Sequence, residues 1–179
     1  VIAELLTVVI LTMLAATALA IARMHNLFAA TMLTALYSLV SACLFMLMHA
    51  VDVALTEAAV GAGVTTVLLL GTLALTRARE KHVPRVRTLR ALAVTGVTGA
   101  ALIYATLDMP RYNEPDTPVQ AHPMRAHFLE ASAGEIGIPN AVTSVLASYR
   151  GYDTLGEVTV IFTAGIAVIM LLGARRRRD

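Results

Sequence analysis

Five stretches of this chain, residues 2–22, 27–49, 53–76, 89–107 and 155–174, run for about twenty positions each with no more than one Asp, Glu, Lys or Arg apiece. A helix of about 20 apolar residues crosses a hydrocarbon core of roughly 30 Å. In lipid the backbone polar groups must be satisfied inside each segment, which makes every span a helix. The expected fold class is an all-α integral membrane protein with five transmembrane helices. With 58% hydrophobic and 15% charged residues over 179 positions, the chain is far more apolar than a water-soluble domain of its length. The first run lacks a basic start, carries Glu4 and is too long for a cleaved leader, so it reads as a span.

Basic residues sort to segment ends. Arg77, Arg79, Lys81, Arg85 and Arg87 lie between the third and fourth spans, Arg90 at the start of the fourth, and Arg175 to Arg178 follow the fifth. By the positive-inside rule both places are cytoplasmic, so five spans put the N-terminus outside and leave Arg23, in the first connection, inside as well. The net charge of +2 therefore reports topology in a plasma membrane and anchoring at anionic headgroups, not nucleic-acid binding. Cys43, the single cysteine, excludes a disulfide within the chain and any cysteine-based metal site, and is expected as a small buried apolar side chain.

The external connection, roughly residues 108–154, contains Pro110, Pro115, Pro118, Pro123 and Pro139 and is too long for an ordinary turn. Its last part predicts an amphipathic helix over 141–150. Asn140 caps it, Val142, Val145, Leu146 and Tyr149 form its apolar stripe, and Gly151 stops it. Such a helix is expected to lie flat on the outer membrane surface.

Glu57, in "TEAAVGAG", is the most informative residue. A carboxylate in a spanning helix costs about 2.5–3.5 kcal/mol at the centre on insertion scales, so it faces protein or water. Asp52 is expected to cap the third span, which leaves Glu57 beyond the first turn without a capping role and favours a functional one. Gly61 and Gly63 read first as close packing through small residues. Their alternative is a local π-bulge or hinge, which glycine makes less costly.

Asp153 and Glu157, at i and i+4 before the fifth apolar run, admit two readings. They either attract a proton or a hard cation at an aqueous mouth, or serve the helix start, with Thr154 and Glu157 as a capping box and Arg150 paired to Asp153. On the proposed topology Glu57, Asp153 and Glu157 lie at similar depth toward the outer leaflet, where three acids would suit one entrance. His49, three residues before Asp52, is a candidate relay, weighed against a plain interfacial histidine. The histidines make no metal-ligand spacing, and no nucleophile elbow, phosphate loop or cofactor motif occurs, so no catalysis, metal or cofactor is expected of this chain. The only lysine, Lys81, lies in the cytoplasmic loop, so a lysine chain through the membrane centre is absent and the chain is not a complete pump.

Two segments carry a resemblance. "DVALTEAAVGAGVTTVLLL", residues 52–70, resembles the D subunit of membrane-bound hydrogenases, and "NAVTSVLASYRGYDTLGEVTVIF", residues 140–162, resembles their E subunit. The same pair of modules forms the C-terminal part of the A subunit of Mrp-type multisubunit cation/proton antiporters. The resemblance implies a D-like module and the first span of the next module within residues 1–107, with a boundary at about 77–88. Residues 108–179 then hold the external loop, the amphipathic helix and the last span, 155–174. It further implies an ion-exchanging membrane subunit beside larger antiporter-like and other small subunits, with H⁺ and Na⁺ as ions. Family acids carry over onto Glu57, Asp153 and Glu157. Kinship with a small subunit of respiratory complex I, whose third helix switches between α and π forms, is implied for the first three spans. The alternative parent is a redox-driven complex, a hydrogenase or related ferredoxin-linked oxidoreductase, whose redox chemistry belongs to partners. The ending "RRRRD" gives the expectation of two modules standing without the lysine-bearing subunit or a following domain.

Overall fold

A computed structural model describes residues 2–76, 85–111 and 114–176. Arg77, Arg79, Lys81, His82, Arg177, Arg178 and most of the expected module boundary fall outside the described residues. The described residues form helices and turns with no strand. Five helices have the length and apolar composition of membrane spans: Ile2–Arg23, Leu27–Leu47, Val51–Thr76, Val86–Ala105 and Gly151–Leu171. The chain is a multi-pass membrane protein, and the order of spans follows the sequence pattern. The ends differ by a few residues: the fifth helix starts at Gly151, four positions before its apolar run.

The chain divides into two compact units, Val1–Gly99 and Ala100–Asp179. In the first, the second span is the central element, packed by both the first and the third. Its buried positions are Thr31, Ser38, Val40 and Ala42, and the third span contributes Ala54. Small residues at the seam let backbones approach, which is where packing between helices in lipid gains its contacts. Large side chains such as Leu5, Leu55, Val67 and Leu68 point outward, as helices solvated by lipid require. Thr7, Thr12 and Thr17 reconcile hydroxyls with that environment by donating to Ala3, Val8 and Met13 carbonyls, one turn back. Cys43 is exposed, contrary to the expected burial, since it sits off the seam that Ser38 and Ala42 occupy.

Asn26 starts the second span by accepting from Phe28 and Ala29 backbone N–H groups at 3.0 and 3.2 Å. The span ends in a Schellman arrangement. Ala50 N–H reaches the Phe45 carbonyl at 2.9 Å, His49 N–H reaches Met46 at 3.0 Å, and His49 takes the left-handed position with φ 58°. Glycine usually holds that position, and a histidine there bears about 1–2 kcal/mol of strain.

In the second unit, a helical run over 123–136 packs on a helix over 141–149, which in turn packs on the start of the fifth span. Asn140 caps the second of these, accepting from Thr143 N–H at 2.8 Å. Ser132 and Ser144 are fully buried between these turns and donate to the Phe128 and Ile138 carbonyls.

Candidate functional site

The third span is not one uniform α-helix. It runs α over Val51–Thr56, π over Glu57–Val64 and α again over Thr65–Thr76, and Thr65 N–H closes the π segment on the Val60 carbonyl. Thr56, just before it, donates its hydroxyl to both the Asp52 and Val53 carbonyls, at 2.9 and 3.0 Å. Such back-bonding bends a helix, and Gly61 and Gly63 reduce the cost of the wider turn. The two glycines were expected first as packing residues, and the π geometry second. Gly61 lies in the π segment, and a Cβ there would come within 2.6 Å of Ser38 Oγ and 2.7 Å of Glu57 Oε1. At Gly63 a Cβ would meet only the Ala58 carbonyl oxygen at an ordinary 3.6 Å, so Gly63 serves the backbone.

Glu57 opens the π segment and is half-buried against the second span. Its carboxylate and the Ser38 hydroxyl converge on the space that Gly61 leaves empty. Ser38 went unnoticed in the sequence, although Thr31, Ser38 and Ala42 form a stripe of small residues at helical spacing that marks the packed face. Asp52 does not cap the third span as expected. Ala50 holds the capping position without a side-chain bond, and Asp52 lies in the first turn, half-buried. The chain turns at His49, so the helix starts sooner than the acid. The His49 side chain is exposed, and what the fold asks of the residue is its backbone conformation.

The entry to the fifth span also departs from expectation. Gly151 does not stop a helix; it begins one, and the break falls at Arg150, with φ −119° and ψ 32°. The early start places Thr154 inside the helix, where its hydroxyl donates to the Leu146 carbonyl at 2.8 Å and ties the span to the preceding helix. Thr154 is therefore not an N-cap, and its capping box with Glu157 is not formed. The Arg150–Asp153 pair is formed, Nε to Oδ2 at 2.6 Å, and both side chains are exposed. Glu157 is exposed one turn further on. Glu57 belongs to the first unit, and Asp153 and Glu157 to the second.

A third cluster lay hidden in the proline-rich connection. Tyr149 donates its hydroxyl to Glu135, His127 Nε2 stands 3.5 Å from the same carboxylate oxygen, and the rings of His127, Phe128 and Tyr149 lie 5.1–5.9 Å apart. The hydrogen bond to Glu135 holds the Tyr149 hydroxyl above its ordinary range, helped by burial and by the carboxylate's charge. The signal was legible: His122 caps the run through Nδ1, Pro123 is its first residue, and Gly137, with φ 77°, ends it. Among the described residues no group of three His, Cys, Asp or Glu side chains is placed to hold a metal ion.

An α-helical membrane protein with a carboxylate set in a π turn defines the class. Within it, the chain belongs to the E-subunit family of MBH, the membrane-bound hydrogenases, with a D-subunit region ahead of it. The family model for the MBH D subunit matches residues 12–78, and that for the MBH E subunit matches residues 83–179. The chain is 32% identical over 160 residues to the A/B subunit of a probable K(+)/H(+) antiporter of Rhizobium meliloti, covering 84% of this chain and 15% of that one. It is 30% identical over 135 residues to the A subunit of the Na(+)/H(+) antiporter of Alkalihalophilus pseudofirmus, covering 75% of this chain and 16% of that one. It thus spans about a sixth of the length of these curated relatives. No solved structure matches it.

Proposed function

We propose that the chain is an ion-conducting membrane subunit of an Mrp-type antiporter module, exchanging H⁺ against Na⁺ or another monovalent cation in company with larger antiporter-like subunits. The observation that carries this reading is Glu57. A carboxylate seven residues into a 26-residue span, in a π turn and with no part in capping, is retained against its insertion cost for a reason other than helix formation. Relatives named as K⁺/H⁺ and Na⁺/H⁺ antiporter subunits support the same class of cargo. Asp153 and Glu157 act as a second, more hydrated acid station at the head of the fifth span, with Arg150 holding Asp153. His49 and Thr154 support the backbone. The chain works as a transport subunit in the plasma membrane, N-terminus outside and C-terminus in the cytoplasm, and carries no catalysis of its own. Na⁺-dependent proton exchange in vesicles, measured for Glu57→Gln and Asp153→Asn in the assembled complex, tests the reading. Strong loss in the first and partial loss in the second is expected, and full activity in both removes these acids from the pathway.

A further inference from the structure

Threonines of the spans, including Thr31 and Thr34 on the second, turn their hydroxyls back onto a carbonyl of their own helix. Ser38 is used otherwise. It is buried, 8% exposed, and its Oγ faces the third span, 2.6 Å from where a Cβ on Gly61 would stand. Glu57 Oε1 reaches within 2.7 Å of the same point. Contacts under 3.0 Å are ones that real Cβ atoms essentially never make, so any residue but glycine at 61 would force both groups apart. The two oxygens therefore share a space kept open by an absent side chain. Glu57 and Gly61, at i and i+4, share one face of the third span, and this segment packs on the second span.

We propose that Ser38 is a positioning residue for Glu57, its hydroxyl donating to the carboxylate directly or through one water, and that Gly61 is the clearance this contact requires. The proposal rests on the ion-carrying reading of Glu57 and adds the group that holds the carboxylate in its conducting orientation. A hydroxyl suits the task because it donates to the charged carboxylate and can accept when the carboxyl is protonated, so it serves both states of a group that loads and unloads an ion. A hydrogen bond to a charged group contributes about 1.5–3 kcal/mol, which corresponds to a rate change of about tenfold or more when it is lost.

The test compares Ser38→Ala, Ser38→Thr and Glu57→Gln in the full assembled complex in vesicles, with maximal exchange rate, half-saturating Na⁺ concentration and the amount of assembled chain all measured. Ser38→Ala is expected to lower maximal exchange about tenfold at unchanged assembly, with Ser38→Thr recovering most of it. If Ser38→Ala reduces assembly, Ser38→Cys, nearly isosteric and a weaker donor, replaces it and is expected to fall between alanine and wild type. An unchanged rate in Ser38→Ala beside lost exchange in Glu57→Gln overturns the role of Ser38 and leaves that of Glu57 standing. Equal impairment by Ser38→Ala and Ser38→Thr assigns Ser38 to packing alone. A full rate in Glu57→Gln overturns the ion role and this proposal with it.

Discussion

The third and fifth spans invite comparison because each is a 26-residue helix with a glutamate at its seventh position, Glu57 in one and Glu157 in the other. Their surroundings differ in kind. Glu57 sits in a π turn, half-buried, with Ser38 of a neighbouring helix facing it across Gly61. Glu157 sits in regular α geometry, exposed, one turn past an acid already paired with Arg150. The same residue at the same register is thus built into the packing of one helix and left at the surface of the other. Placement of a carboxylate along a helix says little about its role; the backbone and the neighbour behind it say more.

That contrast orders the expected effects of substitution. Glu57→Gln is expected to reduce Na⁺-dependent proton exchange by more than an order of magnitude, whereas Glu157→Gln reduces it only severalfold, because an exposed acid is more readily replaced by water. Exchange measured in vesicles at equal amounts of assembled complex checks the pair. Gly61→Ala is expected to cost about 1–3 kcal/mol through overpacking against Ser38 and Glu57, while Gly63→Ala, which meets only an ordinary contact, is expected to be neutral or to gain up to about 1 kcal/mol from helix propensity. Thermal unfolding in detergent, read from helix signal, separates the two.

Smaller effects sharpen the picture at the second unit and at the turn. The Tyr149–Glu135 tie needs a protonated hydroxyl. Because the folded state raises the Tyr149 value above its ordinary 10.0, the stabilisation is present below about pH 10 and is lost as pH rises through the folded value. Protection of residues 141–149 against hydrogen exchange, taken relative to the intrinsic rate at each pH, is expected to fall there in the wild type, and Tyr149→Phe should show the lower protection at neutral pH already. Asp153→Asn removes an exposed ion pair worth about 0.2–1 kcal/mol, so its thermal shift should be near the limit of detection. His49→Gly relieves a left-handed backbone and is expected to gain about 0.5–1 kcal/mol with exchange unchanged; lost exchange would reinstate His49 as a relay.

The spans were legible from hydrophobicity and length alone, because lipid leaves the backbone no other solution. Their first turns were not. Asp52 and Thr154 have the chemistry of caps, yet the turns at His49 and Arg150 start each helix ahead of them, and backbone conformation at those turns has no strong mark in residue type. The acids of the site stood out because charge is rare in these segments. Ser38 did not, since a serine in a span reads as small as readily as it reads polar, and only the packing of the third span shows which applies. The helical run over 123–136 carries its signal openly, from His122 and Pro123 to Gly137, within a connection whose sequence pattern otherwise marks only the helix over 141–150.

The central claim is that the carboxylate in the π turn conducts and the one in the α turn assists. It is tested most directly by measuring Na⁺-dependent proton exchange side by side for Glu57→Gln and Glu157→Gln, in vesicles holding equal amounts of the assembled complex. Exchange near background is expected in the first and a substantial remainder in the second; full exchange in Glu57→Gln, or the reverse order, would overturn these roles.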